Sequence, residues 1–261
     1  GPDMIVGVAK LWTGAVTSDG RVKVKLQNGR VIDVKLHEDF VKEVTRQLMA
    51  RLVDLRRAYK QMRRKPCQAA FAIFAMASRL IAGELDYFEA VSLGFGARNA
   101  VLGFNFGAYA IKFLLNVALW IPVTNYFDDF SLVDIQAMIE DSCDATLRLL
   151  RLLGWEYKDS PEDLLPPAQV FRPLGVVIDL AHQGVVGIAN TDKRMEKIKS
   201  ECRAVMAQPR VNEAQVRSLV GVAQFADAQT SGRSGAPLLR RVRVALLSGN
   251  RAELEDALDA V

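Results

Sequence analysis

The 261-residue sequence is poor in the residues that build metal frameworks and covalent staples. It holds three cysteines, Cys67, Cys143 and Cys202, and two histidines, His37 and His182. Cysteines this far apart match neither a disulfide framework nor a zinc spacing, and neither histidine lies near one, which excludes a Cys/His metal centre. So few thiols also point to a reducing, intracellular setting. Long apolar runs are missing too. The longest uncharged stretch, 113–127, contains Asn116, Pro122 and Asn125, whereas a bilayer span needs about 20 apolar residues; a membrane is not an expected partner. There is no internal repeat, low-complexity tract or secretory leader pattern. The start, Gly1-Pro2-Asp3-Met4, reads as a cleavage remnant or an internal boundary, so the chain is expected to be an excerpt of something longer.

What is present suits a globular protein: 50% apolar residues, 25% charged, and a net charge of +4 that mildly favours anionic partners. The length gives one large domain or two modest ones. Residues 21–36 alternate apolar and charged positions on both sides of Asn28-Gly29, which predicts a hairpin whose basic face (Arg21, Lys23, Lys25, Arg30) is either simply solvated or anion-binding. A helix is expected over 38–49, feeding a short strand, Arg51-Leu52-Val53, that Asp54 closes. FAIFAMA (71–77) and LDYFEAV (85–91) read as strands. Residues 97–120 read as a helix buried on more than one face. A strand at 123–126 reaches Asp128-Asp129, with FSLVDI (130–135) as its hairpin partner, and a helix over 136–153 stops at Gly154. Two further strands lie in FRPLGVVIDL and GVVGIA, around a turn near Gln183-Gly184. Beyond Asn190 the pattern is helical: 192–207, 212–228, 237–247 and 251–261, with Asn212 and Gln215 as a capping box.

Two constellations carry chemistry. In YFDDF (126–130) adjacent carboxylates sit between apolar β-like runs, where an ordinary hairpin prefers Asn-Gly or Asp-Gly. An exposed polar tip explains this; so does a bound cation that relieves the repulsion. Asp54 also closes an apolar strand, and adjacent strands can bring it opposite Asp128. Three such carboxylates can hold two divalent ions about 3.5–4 Å apart, and magnesium suits an all-oxygen site that shares substrate phosphates. The basic stretch with Arg56, Arg57, Lys60, Arg63, Arg64 and Lys65 is either a solvated helix face or a set of phosphate contacts. Arg233, Arg240, Arg241 and Arg243 form a second basic group with the same two readings.

The ordered set Asp54…Tyr59, Leu93-Gly94-Phe95-Gly96 and Tyr126-Phe127-Asp128-Asp129 resembles motifs A, B and C of reverse transcriptases. Leu153-Gly154-Trp155 resembles motif D, and Phe171-Arg172-Pro173-Leu174-Gly175 the primer-grip motif E. LRRAYKQ (55–61), VTNYFDDFSLVD (123–134), FRPLGVVIDL (171–180) and FADAQTSGRSGA (225–236) are similar to retroelement proteins of dinoflagellates and algae. The resemblance covers nearly the whole chain. It implies an α+β right-hand polymerase core: a ferredoxin-like palm with short fingers over 1–190, and a helical thumb over 191–261. It also implies an RNA-directed DNA polymerase that uses two Mg²⁺ ions (Mn²⁺ as substitute), dNTPs, and an RNA or DNA template with primer.

Carried over by position, Asp54, Asp128 and Asp129 are the catalytic metal ligands. Tyr59 is the steric gate, although as a residue it reads equally as core packing. Phe95 and Gly96 would meet the nucleotide. Tyr126, Phe127, Arg172, Leu174 and Gly175 would meet primer and template, and Gln224 and Phe225 fall at structural thumb positions. The chain departs from the pattern at Gly94, where the family has proline. It departs again at DSPEDLLPP, where the motif D lysine is expected and Lys158 is the nearby lysine, and at Val220 and Val222, where thumb arginines are expected. These departures keep open a second reading, a polymerase descendant that binds nucleic acid or a partner without catalysis. A third is another two-metal phosphoryl-transfer enzyme such as a nuclease.

Overall fold

Apolar alternation, helical periodicity and glycine punctuation resolve into ten strands and seven α-helices among the described residues. The computed structural model describes residues 2–94, 98–182, 185–208, 212–230, 235–248 and 251–259. The expected turn at Gln183-Gly184, and Phe95, Gly96 and Arg233, lie outside them. The chain opens with α1 (Pro2–Ala9) and divides into two compact units, Leu11–Ala168 and, with Pro2–Lys10, Gln169–Val261.

In the first unit β1 (Arg21–Lys25) and β2 (Val31–Lys35) form the expected hairpin, with Gly29 left-handed in its loop. Lys23 faces Asp33 across the ladder and Arg21 Nε donates to Asp33 Oδ1 at 2.8 Å. The basic face is thus interrupted by an acid. The helix expected over 38–49 is absent. Two 3₁₀ turns, Glu38–Phe40 and Glu43–Arg46, occupy its place, and β3 starts at Leu48 and runs to Asp54. The carbonyls of Thr45 and Gln47 accept from Ala137 and Gln136, partners that a helix would have denied them.

β4 (Ile73–Ala77) and β5 (Leu85–Glu89) pair as a two-stranded ribbon exposed at every position. α2 (Arg98–Phe113) continues into a π turn to Ala118. By length and composition Asn99–Ala118 is apolar enough to cross a bilayer. One of its faces (Phe104, Ala108, Ile111, Leu115) lies in the unit's core with Val53, Phe130 and Leu132. Leu102, Phe106, Tyr109 and Phe113 on the other faces are exposed, so the expectation of burial on more than one face is not met. Within the π turn, Asn116 imitates a strand: its Nδ2 donates to Val123 O and its Oδ1 accepts from Val123 N, at 2.9 and 3.1 Å.

β6 (Val123–Tyr126) and β7 (Asp129–Ile135) form a hairpin, and β7 also pairs with β3, giving the antiparallel order β3-β7-β6. α3 (Ile139–Leu152) follows and stops before Gly154, whose φ of +77° suits glycine. Ala168 then exchanges two backbone hydrogen bonds with Ala50 on the free edge of β3. A buried carboxylate, Asp134, ties β7 to α3 by accepting from Ser142 Oγ at 2.6 Å.

In the second unit β8 (Val170–Phe171), β9 (Val176–Asp179) and β10 (Gly187–Asn190) form an antiparallel sheet in the order β10-β9-β8. Helices α4 (Asp192–Met206), α5 (Glu213–Gln229), α6 (Ala236–Ser248) and α7 (Arg251–Asp259) match the expected segments within a residue or two. Their core joins Ile198, Cys202, Val216, Leu219, Val220, Val242 and Leu254. The capping box is half made. Asn212 Oδ1 accepts from Ala214 and Gln215 N–H, while the Gln215 side chain accepts from Gln208 instead.

Candidate functional site

Antiparallel register gathers the acidic residues. Asp54 ends β3 directly opposite Asp129, the first residue of β7, and Asp129 also faces Tyr126 on β6. Asp128 sits on the two-residue turn between β6 and β7. Its carbonyl accepts from Leu55 N–H at 3.1 Å, which ties the turn to the end of β3. The turn is tight: Phe127 has φ of 53°, costly for a bulky side chain. Asn125 Nδ2 donates to Phe127 O at 3.2 Å and holds it so, while Asn125 Oδ1 is buried without a partner among the described residues. This aspect of Asn125 is invisible in the sequence, where it is only a polar residue in an apolar run.

The electrostatics follow from the crowding. Burial, then the charges of Asp54 and Asp128, push the Asp129 carboxyl up to about 6. Asp128 is raised too, by burial and by Asp54. Lys158 provides the counter-charge: its Nζ is hydrogen-bonded to Asp54 Oδ2. Among the described residues no three His, Cys, Asp or Glu side chains enclose a metal position as they stand. In chemistry, three partly buried carboxylates, of which Asp128 and Asp129 are pushed up by burial and by neighbouring charge, fit a hard divalent cation.

Tyr59 stands in a 3₁₀ turn, Ala58–Gln61. Its ring stacks on Phe104 with centroids 4.7 Å apart, and Phe104 meets Trp155 edge-on. Burial and the nearby Asp128 charge raise its hydroxyl pKa. The aromatic pair Tyr126–Phe127 packs T-shaped beside the turn, with Tyr126 exposed. The basic stretch is likewise no helix face. Arg57 is left-handed, Arg56 reaches Asp159 at 3.6 Å, and Arg63 and Arg64 lie where the chain bridges to 91–93. Arg56, Arg57, Lys60 and Arg63 are exposed. Leu93 and Gly94 are described, whereas the Phe95 and Gly96 positions are not.

In the second unit Arg172 to Gly175 make a tight turn in which Leu174 and Gly175 are both left-handed. Arg194 of α4 holds it: Nη2 donates to Leu174 O, Nη1 donates to Asn190 Oδ1 and Gln229 Oε1 (3.1 Å each), and the guanidinium lies over Phe225. A Cβ on Gly175 would stand 2.6 Å from Arg194 Nη2, so glycine is required there twice over. Arg194 is a residue the sequence reading missed. Val220, read as a missing arginine, is buried in the helical core, and Val222 packs against it. Arg241 pairs with Asp256 and Arg243 donates to Gln224. Burial raises the thiols of Cys143, to about 11, and Cys202.

No protein-family model and no curated protein matches this sequence. Solved structures do. The foamy viral protease–reverse transcriptase bound to double-stranded DNA aligns with TM-score 0.54 at 16% identity, covering 92% of this chain and 51% of that one. The same viral protein with an RNA/DNA hybrid gives 0.55 at 15%, covering 91% and 32%; a dRH form with double-stranded DNA gives 0.54 at 16%, covering 91% and 42%. The chain thus spans about half or less of the proteins it matches. Its fold is reverse-transcriptase-like. These viral structures lend no support to the narrower likeness to algal and dinoflagellate elements.

Proposed function

We propose that the chain is the polymerase core of a reverse transcriptase, which extends a primer with dNTPs along an RNA or DNA template. The observation that carries this reading is the register pairing of Asp54 with Asp129, with Asp128 on the adjoining turn. The strand order β3-β7-β6, extended by Ala168 at the edge of β3, supports a ferredoxin-like palm. The segments before α2 would serve as short fingers and α4–α7 as the thumb. A retroelement origin accords with the motifs.

Asp54, Asp128 and Asp129 would hold two magnesium ions. When bound, these supply Lewis acidity at the attacking 3′-hydroxyl and offset the triphosphate charge. The chain's own residues do the rest. The raised Asp129 and Asp128 carboxyls make the site receptive to a cation near neutral pH, because ionisation costs less once a positive charge is present. Tyr59, braced by Phe104, would crowd the sugar 2′ position and select deoxyribose. Tyr126 and Phe127 would bear on the primer end. Arg56, Arg57, Lys60, Arg63 and Arg64 would bind phosphates, so affinity for primer–template would be salt-dependent and indifferent to sequence. Arg172, Leu174 and Gly175 would contact the primer strand.

Primer extension on matched RNA and DNA templates tests this, with Asp128→Ala as control and rNTPs to probe Tyr59. Extension lost in the mutant establishes the polymerase. Primer–template binding without extension, by a folded wild type, gives the non-catalytic descendant instead, a reading that the departures at Gly94 and at DSPEDLLPP favour. Strand cleavage without dNTP gives the nuclease.

A further inference from the structure

The segment after α3 runs back beside the end of β3. Arg56 N–H donates to Glu156 O at 3.0 Å, Lys158 N–H donates to Asp54 O at 2.8 Å, and Leu55 bridges Tyr157 between them. Gln61 clamps the same place: its Nε2 donates to Glu156 O at 2.8 Å and its Oε1 accepts from Glu156 N at 2.6 Å. Leu55 and Tyr157 are both buried. The Lys158 backbone is therefore fixed one ladder spacing from Asp54, and only its four-carbon stem is free to swing. In the structure that stem lays the ammonium on Asp54 Oδ2. The ammonium is half in water, and its charge is felt at Asp128 and Asp129 as well.

A lysine ammonium and a divalent cation cannot share one carboxylate oxygen, because both seek its lone pairs and they repel each other. We propose that Lys158 is a built-in counter-ion for the acidic site: it occupies Asp54 in the metal-free protein and is displaced when the divalent cation enters, so it sets the metal concentration at which the site assembles. This rests on the metal reading of Asp54, Asp128 and Asp129. The displaced ammonium has a destination. Asp163, five residues on, lies near enough for its charge to be felt at Lys158, and it accepts from Ser160 Oγ at 2.7 Å. Movement of the stem from Asp54 to Asp163 leaves the backbone ladder intact. The site thus stays charge-compensated with or without metal, which the two further carboxylates beside Asp54 make necessary.

The test is Mn²⁺ binding, followed by its electron paramagnetic resonance signal, to the full chain without nucleic acid or nucleotide. Lys158→Met removes the competitor and keeps the stem; Mn²⁺ should bind about two- to fivefold more tightly, the range of a partly exposed ion pair. Lys158→Arg keeps the charge and should stay near wild type. Arg151→Met removes an equal charge from the face of Tyr157 and should change the affinity less than twofold. Asp163→Asn removes the destination and should weaken binding. Equal affinity in wild type and Lys158→Met, with Mn²⁺ bound by both, overturns the counter-ion and leaves the metal site standing. No Mn²⁺ bound by any folded variant overturns the metal reading together with it.

Discussion

Asp129 is the residue at which the cost of the acidic cluster can be measured. Its folded pKa lies near 6, above the ordinary value of 3.8. Well below pH 3.8 it is protonated in both folded and unfolded states, and its burial carries no ionisation cost. As pH rises towards 6 the unfolded chain releases the proton more readily, so stability is lost across that window and stays lost above it. Asp129→Asn is therefore expected to stabilise the metal-free protein by about 1–2 kcal/mol at pH 7.5 and to change little at pH 4. Urea unfolding at the two pH values checks this, and equal effects at both would count against it. Gly175 is the counterpart in the second unit. Gly175→Ala must push Arg194 off Leu174 and hold alanine at φ of +74°, so it should cost about 2 kcal/mol or more. Thermal unfolding beside Arg194→Met shows whether the loss is that of the guanidinium contact.

At the scale of elements, Asn116 is the least obvious and most exacting joint. Its amide closes both polar groups of Val123 and donates to Lys112 O as well. Asn116→Ala leaves a buried strand end unsatisfied and should destabilise the first unit by about 2–4 kcal/mol; Asn116→Asp, which lacks the donor, should recover little. Denaturant midpoints of the two variants decide it. The joint could not be read from sequence, where Asn116 is simply a polar residue within an apolar stretch. Elements with strong patterns were legible: the β6–β7 hairpin, α3 with its stop at Gly154, and α4–α7. Where pattern and partner disagreed, the partner won. Val41, Val44 and Leu48 are spaced as on a helix, yet Gln136 and Ala137 claim the backbone of 45–47 and pull that segment into extended pairing. In α2 composition overstated burial, since apolar residues cover faces that only one side of the core can receive. That β3 and the β6–β7 hairpin would bring their acidic ends together was legible from the strand ends and the turn, but the register was not: Asp54 lies opposite Asp129 and not Asp128. Lys158 on Asp54, and Arg194 on Leu174, join residues far apart in sequence and had no local signal.

For the whole molecule, two units with separate apolar cores predict unfolding that is not two-state. Leu219→Ala, at a buried position of the helical core, should lower one calorimetric transition by the equivalent of about 2–4 kcal/mol. Asn116→Ala should lower the other. A single transition shifted alike by both would mean that the units unfold as one.

The β4–β5 ribbon bears on how this protein behaves at high concentration. With both faces in water and only two strands, each strand keeps an outer edge open to a neighbour. β5 carries Asp86 and Glu89, which repel another copy, but β4 reads Ile-Phe-Ala-Met-Ala and has no charge at all. Such a stretch lacks the gatekeepers that keep strands from stacking into fibrils. Aggregation on storage should therefore grow from the β4 edge, and a single lysine in place of Ala75 should slow it.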